Sequence, residues 1–264
     1  SAQRQPAVNA IDATGTWLRR ARPLLGTLVE VAVRDGGARG DTAGGAGAAV
    51  RAAFDAIAHV QARMSRFDPA SDVSRFHALA AGEAITIDPV TTEVLQAARW
   101  LQGVTGDVFD VSLGSGARGW RCNGARLERL APGATLDLGG IAKGLAVDLA
   151  VEALRRHGCA SGWVNAGGDL RVFGDASVAV MLRDEAHGGV RPFASLTDGA
   201  LASSHFGPGS RSQAWGLDRG ARACHVSVAA PRCLWADALT KVVAVSGDAR
   251  HRALEACGAR AWLH

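Results

Sequence analysis

The stretch LDLGGIAKGLAVD, residues 136–148, changes its period in the middle. Leu136 and Leu138 flank Asp137 with the two-residue alternation of a strand, whereas Leu145, Leu149 and Ala153 recur at helical spacing. Between them Gly139 and Gly140 admit backbone angles closed to other residues. The segment therefore reads as strand, Gly-Gly turn and helix, with Lys143 in the first helical turn. A helix start turns unsatisfied N–H groups and the positive end of its dipole toward any anion, and Lys143 adds a full charge beside them. A plainer reading stands next to it, in which the glycines make a tight turn and Lys143 is solvated. Neither G-x-x-x-x-G-K-[ST] nor G-x-G-x-x-G occurs in this segment, so it is not a Walker or Rossmann phosphate loop.

Outward from that segment the pattern is mixed. GTLVEVAVRD (26–35) reads as a strand, and GGARGDTAGGAGAA (36–49) as a Gly/Ala loop or frayed helix start. Val50, Phe54, Ile57 and Met64 mark a helix over 48–64, ended by FDPASD. A short helix over 71–80, a short strand over 84–88 and a helix over 89–104 follow, then a Gly-rich connection. After residue 148 the chain reads as a strand–turn–strand pattern, GWVNAGGDLRVFG, continued by SVAVMLRD. A loop-rich stretch over 186–223, a strand CHVSVAA and a helix LWADALTKVVAVSG come after it. This order favours an α+β single domain over a regular βαβ array.

Composition bounds the function. In 264 residues, 48% hydrophobic and 20% charged, there is enough apolar surface for a sizeable core, and no run approaches the about 20 apolar residues of a membrane span. The net charge of +4 comes from scattered Arg and Lys, which is compatible with a phosphate ligand and gives no support for nucleic acid. Five cysteines without a C-x-x-C pair argue against a disulfide framework or zinc site, with Cys224 to Cys233 the one pairing left open. The opening SAQRQPAVNAIDATG lacks the charged start and apolar core of a signal peptide; the expectation is that an export segment has been removed.

Two further clusters carry polar groups. In VNAGGDLRVFG (164–174) Gly167 and Gly168 separate Asn165 from Asp169, and a two-residue hairpin loop explains the glycines without a ligand. In WADALTK (235–241) Asp237, Thr240 and Lys241 fall at i, i+3 and i+4 and share a helix face. Carboxylate and hydroxyl oxygens suit a hard cation such as Mg²⁺, while an Asp–Lys surface pair is the alternative that the spacing leaves open.

Together, RPLLGTLVEV, MSRFDPASDVSRFH, TGDVFDVS, LDLGGIAKGLAVD, WVNAGGDLRVFG and VSVAAPRCLWADAL resemble, in that order, the ApbE family of FAD:protein FMN transferases, formerly called thiamine biosynthesis lipoproteins. The resemblance runs from about Arg22 to the C-terminus. It implies a polar lead-in over 1–21 and one α+β, T-fold-related domain over 22–264, with mixed sheets and flanking helices. It also implies FAD as substrate, Mg²⁺ on its diphosphate, an acceptor flavoprotein as partner, AMP as product, and a periplasmic or otherwise exported location with a membrane tether in a longer precursor.

Position by position, the resemblance places Leu25 against the flavin, with Met64, Ser65 and Phe67 in the aromatic-bearing segment. Asp107, Val108 and Phe109 line the FAD site, as do Gly139, Asn165, Gly167 and Asp169. Asp137 hydrogen-bonds the nucleotide, Lys143 lies over the flavin or its phosphates, and Gly140, Asp237 and Thr240 hold the metal. Two departures stand out. The family's metal threonine falls four residues after the aspartate, where this chain has Lys241 and carries Thr240 one place early. The family's histidine before its D-P-x-T-G segment has no counterpart, which leaves His225 or His205 as the substitute base. These departures keep a second reading open, an FAD-binding protein or slow FAD pyrophosphatase with impaired transfer.

Overall fold

The structure is a computed structural model and describes residues 9–10, 17–34, 45–116, 118–183, 187–207, 214–216 and 224–264. The Gly/Ala stretch from 36 to 44 and the Leu217–Asp218 segment lie outside the described residues.

A two-residue strand, β1 (Asn9–Ala10), precedes a hairpin of β2 (Trp17–Leu24) and β3 (Thr27–Arg34). Leu25 and Gly26 turn that hairpin with φ of 55° and 69°, and the positive angles match the twist of the strands they join. The lead-in expected over 1–21 thus includes β1 and the first residues of β2. Next come α1 (Gly45–Met64), α2 (Asp72–His77), β4 (Ala84–Thr86) and α3 (Pro89–Thr105). Helix α3 carries its signals in sequence. The Asp88 carboxylate accepts from the Val90 N–H at 2.9 Å, Pro89 opens the first turn, and Gly106 closes the helix at φ 60°.

A small hairpin, β5 (Trp120–Asn123) and β6 (Arg126–Arg129), pairs with β4 in the order β4-β6-β5. Then follow α4 (Ala142–Arg156), β7 (Gly162–Ala166), β8 (Asp169–Arg183), β9 (Val190–Phe206), β10 (Cys224–Ala230), α5 (Cys233–Ser246), α6 (Arg252–Ala256) and β11 (Arg260–Leu263). The main sheet runs β11-β10-β9-β8-β7-β3-β2, with β1 added on β8. The sheets expected to be mixed pair antiparallel at every described register.

Strand parity decides what each sheet face covers. On β3, Val29, Val31 and Val33 join Phe54 and Ile57 of α1, Leu145 and Val151 of α4, and Leu239 and Val243 of α5 in the main core. Ala32 points the other way, to a smaller core with Trp163, Leu170, Val172 and Val178. Helices α1, α4 and α5 therefore occupy one face, as an α+β layer arrangement requires.

Three expectations change. Residues 136–138 form no strand; the Leu136 N–H donates to His77 Nε2 at 2.9 Å and the Asp137 N–H to the Val111 carbonyl at 2.8 Å. Their alternation reports burial of both leucines, not a ladder. The stretch read as loop-rich over 186–223 contains the 17-residue strand β9, whose Ala200, Ala202 and Phe206 alternate into the main core. The Gly-rich connection before residue 136 holds the β5–β6 hairpin, turned at Gly124 and Ala125. All five cysteines are free, Cys224 and Cys233 included.

Candidate functional site

The site grows from the crossing of α4 and α5. A Cβ added to Gly144 would lie 2.3 Å from the Cys233 carbonyl oxygen and 2.8 Å from Asp237 Cβ, so only glycine lets the two helices approach this closely. The approach lets the Gly144 N–H donate to Asp237 Oδ2 at 2.9 Å, filling one of the unsatisfied donors of the α4 start. Helix α5 has no cap of its own. The buried Asp148 carboxylate of α4 supplies it, accepting from the Cys233 and Leu234 N–H groups at 2.9 Å each and from Arg171 at 2.6 Å.

The third contributor is Asp169, first residue of β8 after the Gly167–Gly168 turn. Those glycines, at φ 60° and 100°, make the two-residue loop read from the sequence, with Ala166 opposite Asp169. Asp169 points to the helix-bearing face and is fully buried. Lys143 Nζ lies 2.9 Å from its Oδ2 in an ion pair. On α5 the Lys241 ammonium contacts Asp237 Oδ1 and also donates to the Asp237 carbonyl at 2.9 Å.

Four charges thus share one neighbourhood. Burial opposes the Lys143 charge, but Asp169 and Asp237 outweigh it and hold the ammonium well above its usual range. Burial, then Asp237, pushes the Asp169 carboxyl well above the usual carboxylate range, against the pull of Lys143 and Lys241. The lysine side chains remain partly open, 28% exposed for Lys143 and 12% for Lys241. This is a half-buried cationic surface backed by acids, matched to a ligand that brings its own negative charge.

The other expected residues border it unevenly. Asp137 Oδ1 accepts from the Gly139 N–H at 2.8 Å, shaping the Gly-Gly turn, and its Oδ2 lies 3.5 Å from Arg66. Gly140 faces Phe109 and Lys241. Phe109 is buried, with its N–H on the Thr105 hydroxyl; Val108 is half-buried; Asp107 is exposed at φ 67°. Gly167 packs on Thr27, which joins the β7–β8 turn to the turn holding Leu25. The Leu25 N–H donates to Gln61 Oε1 at 2.6 Å, so this strained turn is held from α1. Met64 is buried at the end of α1, and the Ser65 hydroxyl accepts from the Phe67 N–H. The Phe67 ring is 83% exposed and carries only Arg66 on its face, at 4.9 Å among the described contacts.

Three of the expected residues are engaged within the fold. The Asn165 side chain accepts from the Gly168 N–H at 3.3 Å and supports the turn. His225 alternates with the buried Val226 and Val228, so its ring lies on the sheet face away from α5, beside His205 and His264. Thr240 is fully buried, and its hydroxyl donates back to the Asp237 carbonyl at 2.7 Å. Arg66, His77 and Asp148 were not singled out from sequence. Asp148 carries a readable signal, an acid among Val147, Ala150 and Val151 on an apolar helix.

A divalent cation at Gly140, Asp237 and Thr240 does not fit these residues. Mg²⁺ asks for oxygen ligands in near-octahedral order. Here one Asp237 oxygen accepts from the Gly144 N–H and the other faces the Lys241 ammonium, a positive charge at the metal's expected place, while the Thr240 hydroxyl donates back to the Asp237 carbonyl. No group of three or more His, Cys, Asp or Glu suited to a metal occurs among the described residues.

Fold and site together define an α+β protein with an antiparallel sheet, three covering helices and a lysine-lined, acid-backed surface at one helix start. The chain belongs to the ApbE family, whose sequence profile matches residues 25–261. Its fold is similar to the flavin transferase ApbE of Vibrio cholerae, with TM-score 0.77 and 19% identity over 95% of this chain and 94% of that one. The ApbE protein of Thermotoga maritima matches with TM-score 0.78 and 20% identity over 94% of each chain. The flavinyl transferase ApbE of Pseudomonas stutzeri, in its apo form, matches with TM-score 0.76 and 20% identity over 100% of this chain and 92% of that one. No curated protein matches the sequence.

Proposed function

We propose that the protein is an FAD:protein FMN transferase, moving FMN from FAD to a threonine or serine hydroxyl of an acceptor flavoprotein with release of AMP. The observation that carries this reading is the meeting of Lys143 with Asp169 and of Lys241 with Asp237 at the α4 start, below the Asp137–Gly140 turn. Membership of the family and the likeness to flavin transferases support it.

In the reaction the acceptor hydroxyl oxygen bonds to the FMN phosphorus, and the bond from that phosphorus to the bridging oxygen breaks. AMP leaves with the bridging oxygen, and the hydroxyl proton passes in net terms to the AMP phosphate or to solvent. Charge builds on the phosphoryl oxygens and on the departing AMP, so positioning and fixed positive charge supply the catalysis. On this reading Lys143 faces the diphosphate, Asp137 accepts from the nucleotide, and the open Phe67 ring stacks on an aromatic ring. Export to the periplasm, with a membrane tether in a longer precursor, belongs to the same proposal.

The position of His225 favours a second reading, an FAD-binding protein or slow FAD pyrophosphatase, because that ring is not directed at the lysine cluster. Incubation with FAD and a flavin-acceptor domain separates the two. Flavin fluorescence on the acceptor that survives denaturation requires covalent transfer. Release of FMN and AMP without it favours the second reading, and absence of FAD binding removes both.

A further inference from the structure

The geometry points to Lys241 as an internal cation that stands where this family resemblance places a divalent metal, so that FAD binds through two ammonium groups without Mg²⁺. The inference rests on the flavin reading above for its ligand. It begins with the one-place shift of the threonine, which puts a lysine four residues after Asp237.

On α5 a residue at i+4 returns to the same face as Asp237, and the Lys241 ammonium lies on Asp237 Oδ1 and on the Asp237 carbonyl. Its stem passes the Gly-Gly turn. A Cβ built on Gly140 would lie 3.6 Å from Lys241 Cε, 3.9 Å from Lys241 Cδ and 3.8 Å from Phe109 Cε2. Lysine methylenes thus lie against Gly140 while the ammonium lies on Asp237, the two residues expected to share a metal. An ammonium has three donors, and Asp237 takes two of them, leaving the third for a phosphate oxygen.

The neighbouring groups agree. Both Asp237 oxygens already face donors, the Gly144 N–H and the Lys241 ammonium, so a metal on their remaining lone pairs would lie beside a fixed positive charge, and Thr240 already donates to the Asp237 carbonyl. Lys143 balances Asp169 while Lys241 balances Asp237, so the four groups sum to neutrality before a ligand arrives. A divalent ion placed there would meet two ammonium groups of its own sign. A dianionic diphosphate meets the same two groups as partners.

The test compares the intact chain with Lys241→Thr, which puts a carboxylate at i and a hydroxyl at i+4. FAD affinity is measured by flavin fluorescence in EDTA and in millimolar Mg²⁺, and Mn²⁺ binding without FAD by electron paramagnetic resonance. The wild type is expected to bind FAD with less than a twofold difference between EDTA and Mg²⁺, and to leave Mn²⁺ free. Lys241→Thr is expected to lose at least tenfold in FAD affinity in EDTA, to recover it in Mg²⁺, and to bind Mn²⁺. Wild-type FAD binding that tightens tenfold or more with Mg²⁺ overturns the inference without needing any variant to fold, as does a wild-type Mn²⁺ site abolished by Asp237→Asn once circular dichroism shows that variant folded. Failure of the wild type to bind FAD under either condition strikes the flavin reading instead, and the Mn²⁺ measurement then still decides whether Lys241 holds the metal's place.

Discussion

At the scale of single residues, the acids behind the lysines set the consequences of substitution. Removing Lys143 leaves Asp169 buried with no hydrogen bond and only the more distant Lys241 to offset it. Lys143→Met is expected to cost about 3 kcal/mol at pH 7, the scale of breaking a buried pair. The cost should shrink by pH 5, because the Asp169 carboxyl already titrates above its usual range and rises further without Lys143. Urea midpoints of both proteins at the two pH values check this; equal losses would show that Asp169 is not the source. FAD affinity of the variant should fall about 10- to 150-fold, the loss of one charge-assisted hydrogen bond. His77 responds in the opposite sense to Asp169. Burial, then Arg129, lowers its pKa below 6.5, against Asp137, and the neutral ring accepts from the Leu136 N–H. The unfolded chain therefore binds this proton first, so the stability it contributes is complete above that pH and is lost as pH falls through it. His77→Gln, which keeps an acceptor, should flatten the fall in stability between pH 7.5 and pH 5.5. Sequence made Lys143 and Asp137 readable beside a change of period, and Asp237 readable through its helical spacing to Thr240 and Lys241. It left His77 silent, since a histidine accepting from a backbone 59 residues away has no local signature. His225 was readable in principle, because CHVSVAA puts His225 and Ser227 opposite the apolar Val226 and Val228.

At the scale of elements, the α4–α5 crossing controls the geometry of the site. Gly144→Ala must separate the helices, since the added carbon meets a backbone carbonyl that cannot rotate away. A loss of about 3 kcal/mol or more is expected from overpacking. FAD affinity should fall with it, because Asp237 loses the Gly144 N–H. Gly103→Ala, in open space on α3, serves as the control and should keep both stability and affinity. Elements were legible where local signals agreed. Helix α3 has Asp88, Pro89 and Gly106 at its ends, and the β7–β8 turn has paired glycines at positive φ. They were not legible where partners lie far along the chain. Strand β9 reads as loop from its Gly, Pro, Ser and Asp, yet it is held along its length by β8 and β10. Residues 136–138 show the reverse, a strand period produced by burial alone, with a histidine and a loop carbonyl as hydrogen-bond partners.

At the scale of the whole molecule, antiparallel order brings separate turns to one end of the sheet. The turn at Leu25 and Gly26 meets the turn at Gly167 and Gly168 through Thr27, and Gly140 meets Phe109 and Lys241. A dinucleotide bound there must touch several of these segments at once, because the nearest charged groups belong to α4, α5 and β8. Strand β8 runs from this end at Asp169 to the pairing of Ala179 with Ser195, about 33 Å away for ten residues of strand. Hydrogen exchange measured with and without FAD should therefore divide the molecule. Amides of residues 25–27, 107–109, 139–144 and 167–168 should slow together, while those of 178–182 and 191–196 should not change. Slowing confined to a single turn, or spread evenly over β8 and β9, would mean that the ligand does not bridge the segments that the lysines and aspartates join. A uniform change would instead report global stabilisation by mass action, which raises protection everywhere in proportion to binding free energy and leaves no such boundary when exchange is limited by global unfolding. Exchange conditions are accordingly chosen where local opening dominates, well below the unfolding transition, so that the boundary itself is the quantity read.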